Sequence, residues 1–212
     1  TDPNPTTYNV AQNTALGRQA AFQVQQLPNG SRRFLNTLSD NTQTDLTEGA
    51  NGTDTFNDAD GMVYTQTRSG DPRWRLQAPI LSSGSTTTPA NLSSAFTFTR
   101  AITLNNPADP VSLATQTDTF NLNNRTYTNV FTAANKTFTG TTPLNRSATA
   151  TIDTQGRVTS FQFANLNPGT FTYDTRGRLA SATVGTGGEA RAVSFSYNPG
   201  GFLSSITDPL GR

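Results

Sequence analysis

The sequence contains no cysteine and no histidine, and only one lysine (Lys136), one methionine (Met62) and one tryptophan (Trp74) in 212 residues. Without cysteine there is no disulfide scaffold, no thiol nucleophile and no thiolate metal site. Without histidine the usual general base and the commonest transition-metal ligand are missing, so serines have no imidazole to activate them. No Gly-x-Ser-x-Gly elbow occurs. Charge is also sparse: 14% of residues are charged and the formal net charge is +1. No basic patch exists to grip a phosphate backbone, and nucleic acid is not an expected partner. No apolar run approaches the ~18 residues of a membrane helix, so no membrane span is expected. The residues present give no catalytic set, and no cofactor or metal is expected.

What is there points to strands. Leu, Ile, Val and Phe make up 41 of the 212 residues, near the roughly 20% level at which disorder becomes a serious reading. Disorder of that kind also needs a large net charge, and here the signs cancel. The 13 Phe and 5 Tyr would serve no purpose in a solvated tail, and the 38 Thr favour a pleated, half-wet surface. The composition predicts extended β-structure with a thin core. Low Lys, absent Cys and abundant Thr, Asn, Ser and Gly suit an oxidising, protease-rich exterior, which predicts an extracellular or cell-surface location.

Self-similarity decides the architecture. Ile152-Asp153-Thr154-Gln155-Gly156-Arg157-Val158 aligns with Tyr173-Asp174-Thr175-Arg176-Gly177-Arg178-Leu179 and with Tyr197-Asn198-Pro199-Gly200-Gly201-Phe202-Leu203. The spacing suits one β-hairpin per repeat. In each copy an apolar residue ends a strand, Asp or Asn caps the turn through its side chain, and Gly takes the positive φ of a tight hairpin. Asp208-Pro209-Leu210-Gly211-Arg212 is a further turn of this kind, at the opposite end of a hairpin from Asn198. Between the turns, Phe161-Gln162-Phe163, Phe171-Thr172-Tyr173 and Val193-Ser194-Phe195-Ser196-Tyr197 alternate with the period of two of half-buried strands.

Residues 140–212 therefore form regular hairpin repeats, and 1–139 a degenerate version continuous with them. Within the latter, Phe96 to Leu104 alternates over the length of a strand, and Asn123-Asn124 marks a turn between two strands. Thr142-Pro143-Leu144-Asn145-Arg146 matches the closing turn with Asn in place of Gly, and 25–31 and 57–61 are further turns. The Pro-, Ser- and Gly-rich segments 68–92 and 105–112 predict long irregular loops. No amphipathic helical window is present. The predicted fold is all-β: repeating antiparallel hairpins in an open-ended sheet.

The Tyr-Asp-x-x-Gly-Arg-Leu pattern at 173–179, its copies at 152–158 and 197–203, and the closing Asp208 to Arg212 turn resemble the YD repeats of the bacterial RHS family. The resemblance is specific over 140–212 and weaker from Asp71-Pro72-Arg73-Trp74 to Tyr127. It implies a spiralling β-sheet that builds a hollow shell, often around a toxic C-terminal domain, in secreted or surface-displayed bacterial proteins. A chain of this length would be one section of such a wall.

Chemistry has a structural competitor at every candidate position. Asp153 and Asp174 could form a glycosidase carboxylate pair, as in a β-helical polysaccharide-degrading enzyme, but their place in repeated turns favours capping. Asp58-Ala59-Asp60-Gly61 resembles half a calcium loop without the closing Glu, and a plain turn is the simpler reading. Trp74, between Arg73 and Arg75, is a possible glycan contact. With Tyr64 and Tyr127 it would make a carbohydrate-binding adhesin module. Arg157, Arg178 and Arg212 are expected along one rim, paired with turn carboxylates. Finally, monomeric β-proteins usually guard their edges with Lys, and one Lys in total suggests edges meant to be paired. The neighbours would be further β-repeats of the same chain or identical subunits, the latter giving an extracellular filament. The reading is a non-enzymatic structural protein.

Overall fold

The computed structural model describes residues 6–212. Seventeen strands form one antiparallel sheet, and the one helical segment described is a 3-10 turn at Gly187–Glu189. In chain order the strands are β1 (Thr7–Asn13), β2 (Gln19–Gln26), β3 (Arg32–Thr37), β4 (Gln43–Glu48), β5 (Thr53–Asn57), β6 (Val63–Asp71), β7 (Arg75–Thr87), β8 (Ser93–Leu104) and β9 (Leu113–Leu122). They continue as β10 (Arg125–Thr132), β11 (Thr137–Thr141), β12 (Ser147–Ile152), β13 (Val158–Phe163), β14 (Gly169–Tyr173), β15 (Leu179–Val184), β16 (Arg191–Tyr197) and β17 (Leu203–Thr207). Each pairs with the strand before and after it in sequence, an open meander of hairpins. The chain divides into two units, 1–100 with 120–125 and 101–119 with 126–212.

The alternation in sequence sorts side chains onto two unlike faces. In the first unit, cross-strand partners run Tyr8, Val24, Phe34, Leu46, Phe56, Tyr64, an apolar row across β1 to β6. The opposite face of β5 to β7 carries Thr55, Thr65 and Ser85 in register. The second unit repeats the scheme. Phe131, Phe138, Ala150, Phe161 and Gly169 follow one another across β10 to β14, while Thr139, Thr149 and Gln162 face the other way. Such cross-strand rows are the stabilising unit of a sheet, reinforced here by Phe131 on Phe138 at 4.6 Å between ring centroids and Phe161 on Phe171 at 5.7 Å.

The apolar rows are only half covered. Among the described residues no apolar side chain is buried, and the buried polar side chains are Ser31, Asp54 and Asp71. The accessible surface is 14251 Å², against about 9,500 Å² for a compact globule of this mass by the usual scaling. Where a row would leave a gap, a phenylalanine crosses to fill it. Phe96 of β8 lies over Gly84 of β7, and Phe161 of β13 lies over Gly169 of β14, so tightly that a Cβ at either glycine would overlap the ring. Aromatic cover of this kind compensates for a glycine's missing side chain within a strand.

Segment 68–92 departs from the sequence expectation. It is not a loop: β6 runs to Asp71, a tight turn spans Asp71–Arg75, and β7 is the longest strand at 13 residues. Its Ser, Gly and Pro content reads as loop because composition cannot register pairing. Two register shifts in the β6–β7 ladder accommodate the irregular stretch around Pro79, which stands opposite Gly70. Residues 105–112 do form a connection, closed by the Asn105 N–H donating to the Ser112 carbonyl at 2.7 Å.

Candidate functional site

The feature that organises the chain is its turn. At 14–18, 27–31, 38–42, 49–53, 58–62, 88–92, 142–146, 153–157, 174–178, 198–202 and 208–212 the same two backbone bonds recur. The first residue's N–H donates to the fifth residue's carbonyl, and the fourth residue's N–H donates to the first residue's carbonyl. The fourth residue is always Gly or Asn at positive φ, from Asn145 at 56° to Gly201 at 89°. Gly and Asn are the residues that reach this region at least cost.

Two chemistries cap the fifth residue's N–H. Thr14, Thr88, Thr142, Asp153, Asp174, Asn198 and Asp208 do so from the first position. Asn29, Asp40, Asn51 and Asp60 do so from the third. The sequence repeat at 152–203 exposed only part of this series. The remaining signal was a Gly or Asn preceded directly by Asn or Asp, at 29–30, 40–41, 51–52 and 60–61, spaced at half a hairpin repeat.

In the second unit the turn gains a clasp that joins one hairpin to the next. Arg157 donates through Nε to Asp153 Oδ2 at 2.7 Å, and its guanidinium lies 4.3 Å from the centre of the Tyr173 ring. The Tyr173 hydroxyl donates back to the Val158 carbonyl at 2.7 Å. One repeat on, Arg178 binds Asp174 at 2.7 Å and stacks 4.1 Å above Tyr197, whose hydroxyl donates to the Leu179 carbonyl at 2.8 Å. The Asp-x-x-Gly-Arg turns at 153–157 and 174–178 thus each hold the following hairpin by a cation–π contact and a hydroxyl bond, with the arginine fixed by a charge-assisted hydrogen bond to its own turn carboxylate.

The clasp explains the carboxylates. The Arg157 N–H and guanidinium hold Asp153 below the usual carboxylate range. The Arg178 guanidinium and N–H do the same for Asp174, and the Arg212 N–H for Asp208. All three are held as anions and engaged by an arginine, the setting of caps rather than of a general acid. One expectation is corrected. Arg157 and Arg178 sit at one end of their hairpins, but Arg212 follows β17, one strand beyond the 198–202 turn, and so lies at the other end. Turns of alternate parity in a meander cannot share a rim.

The clasp also reaches the next turn's glycine, since a Cβ at Gly177 would lie 2.9 Å from Arg157 Nη1, whereas one at Gly156 would meet nothing within 4 Å. Both have φ near 80°, so Ala at either carries the left-handed backbone cost of about 1–2 kcal/mol. Gly177→Ala is expected to lose more stability than Gly156→Ala, by about 1 kcal/mol. Hydrogen exchange of the Gly177 and Tyr197 amides measures it, and equal losses would mean that Arg157 does not rest on the next turn.

Trp74 lies in the Asp71–Arg75 turn, with the Arg73 guanidinium 5.8 Å from its ring. Tyr64 of β6 stands opposite Phe56 and Thr86 in its ladder. Asp58 and Asp60 bind the turn N–H groups of Ala59 and Met62. Asp71, which sequence reasoning missed, is 2% exposed. Its Oδ1 accepts from the N–H groups of Arg73 at 2.7 Å and Trp74 at 3.2 Å, and its Oδ2 accepts from Arg100 at 3.2 Å. Burial pushes this carboxyl up, and the two N–H groups and two arginines outweigh it, so the net direction is down.

Among the described residues no helix is long and apolar enough to cross a membrane. No protein-family model matches the chain, and no curated protein does. Among solved structures the chain is similar to a porin-like protein from Bacteroides uniformis, at 12% identity over 95% of this chain and 94% of that one, with a TM-score of 0.34. It is also similar to the TCP10 domain of Danio rerio CPAP bound to a STIL peptide, at 12% identity over 95% and 99%, with a TM-score of 0.23. At such scores neither likeness bears on what this chain does.

Proposed function

We propose that this chain is a non-enzymatic structural segment, a secreted or surface-exposed β-wall of RHS/YD type that takes part in a larger shell or assembly. The observation that carries the reading is the clasp: Arg157 on Tyr173 and Arg178 on Tyr197 repeat one joint between successive hairpins. Such a joint is useful to a sheet that grows by whole repeats. The lack of any buried apolar side chain among the described residues supports it, because a half-wet sheet suits a wall whose faces and edges meet other material. The wall would continue into further β-repeats and could enclose a toxin domain.

The test is electron microscopy of the product of the full open reading frame that contains these residues. Expected are further Tyr-Asp-x-x-Gly-Arg turns in that reading frame and a hollow particle. Filaments that lengthen with concentration would replace the shell by edge-to-edge stacking of identical subunits. A compact monomer with no additional repeats would overturn both.

A further inference from the structure

The first unit holds a groove that the clasp does not use. On the apolar face, β4 to β8 place Leu46, Asp54, Phe56, Tyr64, Gln66 and Phe96 around a cavity of about 350 Å³. Phe56 and Tyr64 stack with their ring centres 5.9 Å apart and their planes 29° from parallel, and Tyr64 is 38% exposed. Beside them Asp54 is 7% exposed. Its Oδ2 accepts from Gln66 Nε2 at 3.0 Å and from Arg68 at 2.6 Å, and its Oδ1 takes neither bond. A second cavity of about 400 Å³, reaching Ile80, Phe98 and Phe120, shares Leu81 and Phe96 with the first, so the groove continues along the sheet.

We propose that this groove binds a neutral oligosaccharide, with one pyranose ring on the Tyr64 and Phe56 faces and its hydroxyls donating to Asp54 Oδ1. The volume falls in the range of small-molecule sites, about 300–1,000 Å³, and its lining mixes aromatic and aliphatic side chains with polar ones, Thr86 and Ser94 among them. A pyranose face presents C–H groups that carry partial positive charge, which complement the negative face of an aromatic ring. The polar groups decide among ligand classes. The Asp54 charge is already matched by Arg68 at 2.6 Å, so the site has no net charge with which to hold a cation. No arginine or lysine lines this first cavity to hold an anion. A purely apolar guest would leave Asp54 Oδ1 without a donor. A hydroxylated neutral ring satisfies the carboxylate and the aromatic pair together.

The experiment titrates the intact chain with maltohexaose, cellohexaose and chitohexaose by calorimetry, with tetramethylammonium as the cationic comparison. At least one hexasaccharide is expected to bind in the high-micromolar to millimolar range. Tyr64→Ala is expected to weaken it by about tenfold or more, and Trp74→Ala to leave it unchanged. No binding of the three at about 10 mM, tighter binding of tetramethylammonium, or loss of binding in Trp74→Ala would each overturn the proposal. So would unchanged affinity in a folded Tyr64→Ala variant. Should that variant not fold, the wild-type Tyr64 ring protons are expected to shift on titration of the binding sugar, and unshifted ring protons would overturn the proposal equally.

Discussion

Replacing Asp71 with Ala is expected to lower the stability of the β6–β7 hairpin by about 3 kcal/mol, in the range for breaking a buried ion pair by removing one partner. Asp71 is the most buried of the residues that form no apolar core. Its loss strands two turn N–H groups and removes one partner of Arg100, whose side chain is itself mostly covered. Trp74, three residues away and the only tryptophan, is the natural probe: its fluorescence midpoint in urea should fall in Asp71→Ala, and fall less in Asp71→Asn, which keeps an acceptor for the N–H groups. A variant within about 0.5 kcal/mol of wild type would show the carboxylate to be idle.

The same carboxylate sets an acid limb. Because its folded pKa lies below the ordinary value, its contribution is present above about pH 4 and is lost as the pH falls through the depressed folded value. Asp153, Asp174 and Asp208 act in the same direction. With no histidine, no side chain with an ordinary pKa titrates between about pH 5 and 8, and stability should be flat there. Asp71→Asn should flatten the limb reported by Trp74.

Gly84→Ala is expected to cost about 2–3 kcal/mol, the upper part of the range for overpacking. The added methyl would lie 2.6 Å from the Phe96 ring and 2.9 Å from the Thr65 carbonyl oxygen. The ring could turn aside, but the carbonyl belongs to the β6 ladder and cannot. Gly169→Ala provides the control. There the three nearest atoms belong to the Phe161 ring, and a ring swing relieves the overlap at a cost of about 1 kcal/mol. Comparing urea midpoints of the two variants, with Trp74 reporting the first and amide exchange of β14 the second, checks the difference. Equal losses would refute the distinction between a backbone and a side-chain obstacle.

The strand segments at 96–104, 119–127, 161–163, 171–173 and 193–197 were legible because alternation and Asn-Gly-type turns are local signals. β7 was not: its Ser82-Ser83-Gly84-Ser85 stretch has the composition of a loop, and only its partners in β6 and β8 hold it extended. The caps at Asp153 and Asp174 could be read from spacing, because the turn closes within five residues. The stacking of Arg157 on Tyr173 could not, since it depends on how one hairpin settles against the next. The burial of Asp54 and Asp71 and the stacking of Phe56 on Tyr64 escaped for a related reason. Each acts through cross-strand partners or a folded turn, and no linear pattern marks a carboxylate that becomes buried in a chain with so little to bury it.

The meander has a consequence for how the molecule comes apart. The described strand pairs join neighbours in sequence, so most of their hydrogen bonds close short loops. Chains built this way behave as one-dimensional arrays, in which hairpins nucleate independently and order propagates along the row. A single melting temperature would then average many local openings. Damage at one joint would remain near that joint, and a hairpin could be added or removed without disturbing the registers on either side.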